Sequence, residues 1–384
     1  MSKIIQKLLM DRARELYREL FMPAGLMAAL IIGAGVFSLP YIFSVSGVWL
    51  GFAYLAVFAL VFSAIHLMYA DVIKHTPGDH RFVGYAKIHL GRWGFGLSLL
   101  TTLVGIILVL LIYLVLSVNF TKAILPALNE QYVFLGFWGI FSATVILGIE
   151  RVAKLDMFLT ALKLLIIVVV FALGVSQFDL NNFTPNPSAV ALPFSAVLFS
   201  LSGRSAISSI REHLKKNKIS DRKMSAAMVL GTFVPAILYA LFVVGVLGIS
   251  GSGVTADSIA GIASAFHWGG AVIAFLAMLS LWTAYTFLGF EADNILIRDL
   301  KVPVFWSGIV IVLAPVVLYF LGFDNFLKLI GISGGVLLAI ESIMVAAMWR
   351  KVAKPKPLLY WAAYGIMLVF MVGGTYEIIS LLPV

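Results

Sequence analysis

The sequence predicts an all-α polytopic membrane protein with eleven transmembrane helices. Three observations carry that reading. Hydrophobic residues make up 62% of the 384 residues and charged residues only 12%, against about 45–50% and 25% in soluble proteins. Apolar runs long enough to cross a bilayer, roughly 20 residues each, recur along the chain. Basic residues fall in every second loop. So few charges cannot cover a soluble surface, which excludes a soluble enzyme and a disordered chain. The chain has no cysteine, which excludes a disulfide framework, thiol catalysis and cysteine-based zinc sites.

Residues 1–21 form an amphipathic cytoplasmic segment. Ile4, Ile5, Leu8, Leu9, Leu16 and Leu20 alternate with charged positions at helical spacing, the pattern of a helix lying on a membrane surface and not of a cleaved leader. Residues 22–70 contain no Asp, Glu, Lys or Arg, so that run holds two spans with a turn at 44–47. The same count places spans at about 22–43, 48–73, 95–121, 132–149, 156–177, 190–212, 224–248, 267–297, 302–321, 325–349 and 358–381. A short amphipathic helix near 255–265 fits the surface between spans seven and eight. Alternate loops hold 23 of the 27 Lys and Arg, among them Arg12, Arg81, Lys154, Lys216, Lys218, Arg298, Lys354 and Lys356. The positive-inside rule then puts the N-terminus in the cytoplasm and the C-terminus outside, in a plasma (inner) membrane. The net charge of +9 is therefore topology and not a nucleic-acid footprint; the partner it implies is the lipid bilayer.

Span one carries Gly33, Gly35 and Pro40 within eight residues, and span six carries Ser200, Ser202, Gly203 and Arg204 at the same depth. Backbone freed by such interruptions is tolerated in hydrocarbon only where it lines a cavity or is buried in protein. If spans 1–5 and 6–10 are inverted repeats, the two interruptions correspond, the pattern of a midplane transport site. Half-helix N-termini present N–H groups to a carboxylate, and freed carbonyls face an ammonium or a cation. The chain then divides into the segment 1–21, a first five-helix repeat at 22–177, a second, inverted one at 190–349 and an additional helix at 358–381. The alternative for Gly33 and Gly35 is close packing of small residues; the span spacing and Pro40 favour the broken helix.

A charge at the bilayer centre costs about 2.5–3.5 kcal/mol on insertion scales and marks function by default. Lys163 lies about two turns into span five. It either titrates as a coupling group or snorkels to the headgroups near Asp156. Arg204 either clamps a second carboxylate bidentately or pairs with an internal carboxylate. Glu341, deep in span ten, requires a buried partner or water and is a second candidate proton carrier. Glu291 and Asp293, near Arg298, form either an inner gate or headgroup salt bridges. Glu377 is placed close to the outer surface, with no special role. His66 reads as a helix-packing histidine. Tyr113 either packs or lines a pocket.

The stretch Ile32-Gly-Ala-Gly-Val-Phe-Ser-Leu-Pro40 resembles the first-span signature of amino acid permeases in the amino acid–polyamine–organocation superfamily. Residues 198–212 resemble their sixth span. Ala284-Tyr-Thr-Phe-Leu-Gly289, followed by Asp293, resembles the eighth span of the aromatic amino acid and amino acid–auxin permease branch. The resemblance implies the LeuT-like five-plus-five inverted repeat with helices 1 and 6 broken. It also implies secondary active transport: a symporter importing an amino acid, neutral or aromatic, by alternating access. The substrate carboxylate would meet the N–H groups of Gly33, Ala34 and Gly35. Its ammonium would meet carbonyls near Ile31 and in Ser200, Ser202 and Gly203, with Arg204, Tyr113 and Tyr285 beside it. In sodium-coupled relatives a cation sits between span-one carbonyls, here Ala29 and Ile32, and two adjacent hydroxyl residues of span eight, here Tyr285 and Thr286. A bulky Tyr replaces a small residue in that pair. Some proton-coupled relatives keep a span-five lysine whose ammonium occupies the sodium position, the part expected of Lys163. The expected partners are thus an amino acid, a coupling proton or Na+, and lipid, with no cofactor, no resident metal and no nucleic acid. Other classes fit less well. A channel lacks its Thr-Val-Gly-Tyr-Gly filter, an intramembrane enzyme its His-Glu-x-x-His, a sensor an attached domain, and ATP drive a P-loop.

Overall fold

The computed structural model describes residues 2–78, 80–147, 150–183, 185–217, 219–265, 267–353 and 357–382. Lys218, Lys354 and Lys356 lie outside the described residues, as do the side chains of Lys154, Asp156, Lys216 and Arg298. Helices and their connections make up the described chain, with no strand among the described residues.

The amphipathic segment forms α1 (Ser2–Leu16), which runs through a π-helical turn (Tyr17–Phe21) into α2 (Met22–Ile31). Ile5, Leu9 and Leu16 on α1 are exposed, the face a membrane surface would cover. After the break come a 3-10 turn (Ala34–Ser38), α3 (Leu39–Ser46), α4 (Val48–His75), α5 (Phe82–Ile124), α6 (Glu130–Leu147) and α7 (Glu150–Gly174). The second half holds α8 (Pro193–Leu201), α9 (Arg204–Lys216), α10 (Asp221–Ser250), the short α11 (Ile259–Ala265), α12 (His267–Asn294) and α13 (Val304–Phe320). It continues with α14 (Phe326–Ile330), a π-helical stretch (Gly331–Leu337), α15 (Leu338–Ala353) and α16 (Pro357–Leu381). Prolines open α2, α3 and α8 in the first turn, where the missing N–H has no intrahelical partner to lose. α5 bends at Gly91, whose φ of 73° lies in the region that favours glycine.

Eight described helical segments are long and apolar enough to cross a membrane, or nine when the bent pair around residues 32–33 counts as one. One expected span is shorter: α13 has 17 residues, about 25 Å at 1.5 Å per residue against roughly 30 Å of hydrocarbon, whereas α7 has 25 residues. Length and composition thus support eight or nine spans, and eleven stays an expectation.

α2, α3 and α8 pack round α10, and α5 packs on α12 and α15 with Leu110, Leu111, Ile112 and Leu114 fully buried. An ion pair between Lys74 and Asp221 (2.8 Å) ties α4 to α10, and Lys223 reaches Glu15 (3.6 Å) and Glu19 across to the N-terminal helix. These contacts fix the N-terminal end of the bundle, while the two breaks occupy its middle.

Candidate functional site

α2 ends because Ile32, at ψ 87°, turns the chain out of the helix, and Gly33 follows in an extended conformation. The second break lies between α8 and α9, where Ser202 takes ψ 117°. The two breaks abut. A Cβ on Gly35 would stand 2.6 Å from Ser200 Cα, and one on Gly203 would stand 2.6 Å from the Ile31 side chain. Only glycine permits that approach. The breaks foreseen in spans one and six therefore exist and meet.

Freed carbonyls need donors. The Tyr239 hydroxyl, from the middle of α10, lies 2.8 Å from Ile31 O and 3.0 Å from Ser200 O. Its one proton serves both broken helices. Sequence reasoning gave these carbonyls to a substrate ammonium and missed Tyr239. The signal available is a polar aromatic one turn beyond Pro235, the proline inside α10.

A cavity of about 130 Å³ opens against the breaks. Ile31, Gly33, Ala34 and Gly35 line it, with Tyr113 of α5 and Ser202 of the second break. Arg204, Glu341, Thr102 and Glu291 contribute charge and polarity. Arg204 grips Glu341 bidentately: Nε donates to Oε2 at 3.1 Å, and Nη2 lies 3.0 Å from Oε1 and 2.9 Å from Oε2. Thr102 donates to Oε1 at 2.7 Å, and the guanidinium stacks 4.0 Å over the Phe82 ring. Of the two readings of Arg204, the structure thus has the internal pair, and Glu341 has the buried partner it required. A guanidinium stays protonated in proteins, so this pair is a fixed, neutralised charge. Thr102 and Phe82 were not foreseen, since neither stands out from its apolar neighbours by spacing.

A second, smaller cavity of about 30 Å³ lies at the other flank of Gly33. Lys163, 9% exposed, lines it with Ile32, Val36, Phe37 and, from α12, Leu276, Ala277 and Ser280. The lysine therefore sits beside the break.

Tyr285 and Thr286 line neither cavity. Tyr285 is buried against α6, its hydroxyl 3.3 Å from Ser142 Oγ and its ring 5.3 Å from Phe141. Thr286 Oγ1 lies 2.7 Å from Thr144 Oγ1 and donates to Trp282 O at 3.0 Å. The reason is helical phase. At 3.6 residues per turn, Tyr285 and Thr286 stand about 140° and 120° round α12 from Ser280, in opposite directions. The span-eight hydroxyl beside the break is Ser280, and Ala29 lines neither cavity.

Glu291 faces the larger cavity, whereas Asp293 accepts from Ser307 Oγ at 2.5 Å. His66 Nδ1 lies 3.0 Å from Thr232 Oγ1. Thr232 spends its own proton on Met228 O, so His66 donates from Nδ1 and packs α4 to α10, as expected. Glu377 is 8% exposed. Its carboxylate comes within 2.4 Å of where a Gly331 Cβ would stand, so it packs against the π-helical stretch.

Solved transporters share this architecture. A structure of MhsT in complex with L-phenylalanine matches with TM-score 0.61 and 14% identity, over 94% of this chain and 98% of that one. Mhp1, a nucleobase-cation-symport-1 family transporter closed around bromovinylhydantoin, matches at 0.58 and 13%, over 84% and 76%. The Eremococcus coleocola manganese transporter, in complex with an aromatic bis-isothiourea compound, matches at 0.62 and 14%, over 93% and 85%. These identities speak for the fold. Among curated proteins, spore germination protein A2 of Bacillus subtilis (strain 168) is 30% identical over 105 residues, 26% of this chain and 28% of that protein, so the shared stretch is about a quarter of either. The family model for the tryptophan/tyrosine permease family matches residues 17–380. That match spans nearly all of the chain, which carries a LeuT-type fold broken at both central helices and belongs to the tryptophan/tyrosine permease family: it is an amino acid permease, a membrane transporter and not an enzyme.

Proposed function

We propose that this permease imports a neutral aromatic amino acid by alternating access, coupled to protons. The zwitterionic head binds at the two breaks. Its carboxylate takes the N–H groups of Gly33, Ala34 and Gly35, and its ammonium competes with the Tyr239 hydroxyl for Ile31 O and Ser200 O. Tyr113 closes the same end of the cavity, and the ring lies along Ile106, Val109, Leu288 and Leu337. The family's name and the phenylalanine complex of MhsT support an aromatic substrate.

One observation carries the coupling: Lys163 beside Gly33, Ile32 and Ser280 in the smaller cavity. An ammonium there supplies the positive charge that a metal cation would otherwise bring. Lysine differs from arginine in that burial readily shifts its protonation. Protonated Lys163 holds span one against α12, and its deprotonation loosens that contact, so each transport cycle carries a proton. The frame for this motion is two five-span repeats, 22–177 and 190–349, with 358–381 outside them, in a plasma (inner) membrane with the N-terminus cytoplasmic.

Uptake of labelled tyrosine or tryptophan into proteoliposomes tests the reading. A pH gradient, acid outside, should concentrate the substrate without sodium. Accumulation that follows a sodium gradient and ignores pH would remove Lys163 from the coupling role. Absence of counterflow exchange for every aromatic amino acid would remove the substrate class.

A further inference from the structure

The larger cavity has three kinds of lining: backbone of the breaks, the polar side chains of Arg204, Glu341, Thr102 and Glu291, and the apolar side chains of Ile106, Val109, Leu288 and Leu337. An amino acid whose head is held at the breaks places its side chain among the other two. Glu341 is already engaged. Oε1 accepts from Thr102 and from Arg204 Nη2, and Oε2 accepts from Arg204 Nε with Nη2 a further 2.9 Å ion-pair contact.

Glu291 is different. It lines the cavity, yet among the described residues no donor hydrogen-bonds to it and no cation lies within 4 Å of it. Arg81 and Arg204 act on it through space, with Asp299 opposing them. An acceptor that faces a cavity without a protein donor is open to a ligand that supplies one.

Resting on the aromatic-substrate reading above, we propose that Glu291 reads the far end of the substrate side chain, accepting a hydrogen bond from a phenol O–H or an indole N–H. Both substrates end in a donor on an aromatic frame. Phenylalanine ends in C–H and leaves Glu291 unsatisfied. An acidic side chain meets Glu291 and an already neutralised Arg204, so it is repelled. A site built to hydrogen-bond a substrate group discriminates against the analogue lacking it far more strongly than an apolar pocket discriminates by size. Glu291 is thus a specificity-determining residue, while the Arg204–Glu341 pair forms the fixed wall beside it.

The test measures thermal stabilisation of the full-length purified protein by ligand pairs that differ only at the tip, since ligand affinity reads out as stabilisation by mass action. The pairs are tyrosine with O-methyltyrosine and with phenylalanine, and tryptophan with 1-methyltryptophan. The donor-bearing member should bind at least tenfold more tightly in each pair. In Glu291→Leu that preference should collapse to less than threefold, and Glu291→Gln, which keeps a carbonyl acceptor, should restore part of it. Equal binding within the pairs on the unsubstituted protein overturns the proposal without any variant having to fold, as does a preference that survives Glu291→Leu. Tighter binding of lysine or arginine than of tyrosine overturns it too, because Glu291 would then pair with a cation. If no amino acid binds, the aromatic-substrate reading falls as well, which separates the two failures.

Discussion

Two cations flank the same glycine in different surroundings. On one side of Gly33, Arg204 is locked to Glu341 by two-pronged hydrogen bonds, braced by Thr102 and stacked on Phe82. On the other side, Lys163 lines a small cavity whose other side chains are apolar except Ser280. The difference teaches how a transporter uses charge inside a membrane. A guanidinium paired with a carboxylate is permanent and neutral in sum, suited to building a wall. The lysine beside the break is, in the coupling proposed above, the group for a step that repeats with each cycle.

The largest effect should come from breaking the wall. Glu341→Leu leaves Arg204 buried beside Phe82 without its carboxylate, and loss of one partner of a buried pair costs about 3–5 kcal/mol. The double substitution Arg204→Met with Glu341→Leu should recover most of that, read as the melting temperature in detergent. Failure of the double variant to recover would mean that the pair's hydrogen bonds, and not its charge balance, hold the wall.

The close approach of the breaks sets the next effect. Gly35→Ala places a methyl 2.6 Å from Ser200 Cα and should destabilise by about 1–3 kcal/mol through overpacking. Transport should drop by more than the stability loss accounts for, because the forced separation lies at the site itself. Counterflow rates normalised to folded protein measure this.

Tyr239→Phe should have an effect of similar size on stability, about 1–3 kcal/mol for carbonyls left without a donor. A bound aromatic amino acid should return part of that stability, since its ammonium takes the carbonyls over. Melting curves with and without ligand would show a larger ligand-induced shift in the variant than in the unsubstituted protein. An equal shift would mean the ammonium binds elsewhere. The mildest change, Thr286→Val, disturbs a hydrogen bond between α12 and α6 outside both cavities and should cost about 1 kcal/mol with no new sodium dependence of uptake.

Much of this was legible because broken backbone leaves a strong mark in an apolar chain. Gly33, Gly35, Gly203 and Pro40 stand out where a span should be uniform, and the structure brings Gly35 against Ser200 and Gly203 against Ile31. Buried charge was equally visible: Lys163, Arg204 and Glu341 each stand where composition forbids charge, and two of the three are partners 137 positions apart. What sequence could not supply was rotation. Tyr285 and Thr286 were placed beside the break by resemblance, but a helix in a bundle has no solvent face to reveal its phase, and α12 turns them toward α6. Tyr239 and Thr102 stayed hidden for a related reason. Each acts through a single hydroxyl on an otherwise apolar helix, and only the neighbouring carbonyl or carboxylate gives that hydroxyl a meaning. The span count suffered from length: α13 is apolar but short, so hydropathy alone counts fewer crossings than alternating loop charge does.

The asymmetry between the two cations is tested most directly by substrate-evoked proton flux. Proteoliposomes without sodium, and with no imposed gradient, receive labelled tyrosine outside while a pH-sensitive dye follows the medium. The unsubstituted protein should alkalinise the medium in step with tyrosine entry. Lys163→Gln should lose at least tenfold of that proton signal while tyrosine entry falls less. Proton uptake that persists undiminished in Lys163→Gln would contradict the account, and would move the coupling group to the carboxylates of the larger cavity.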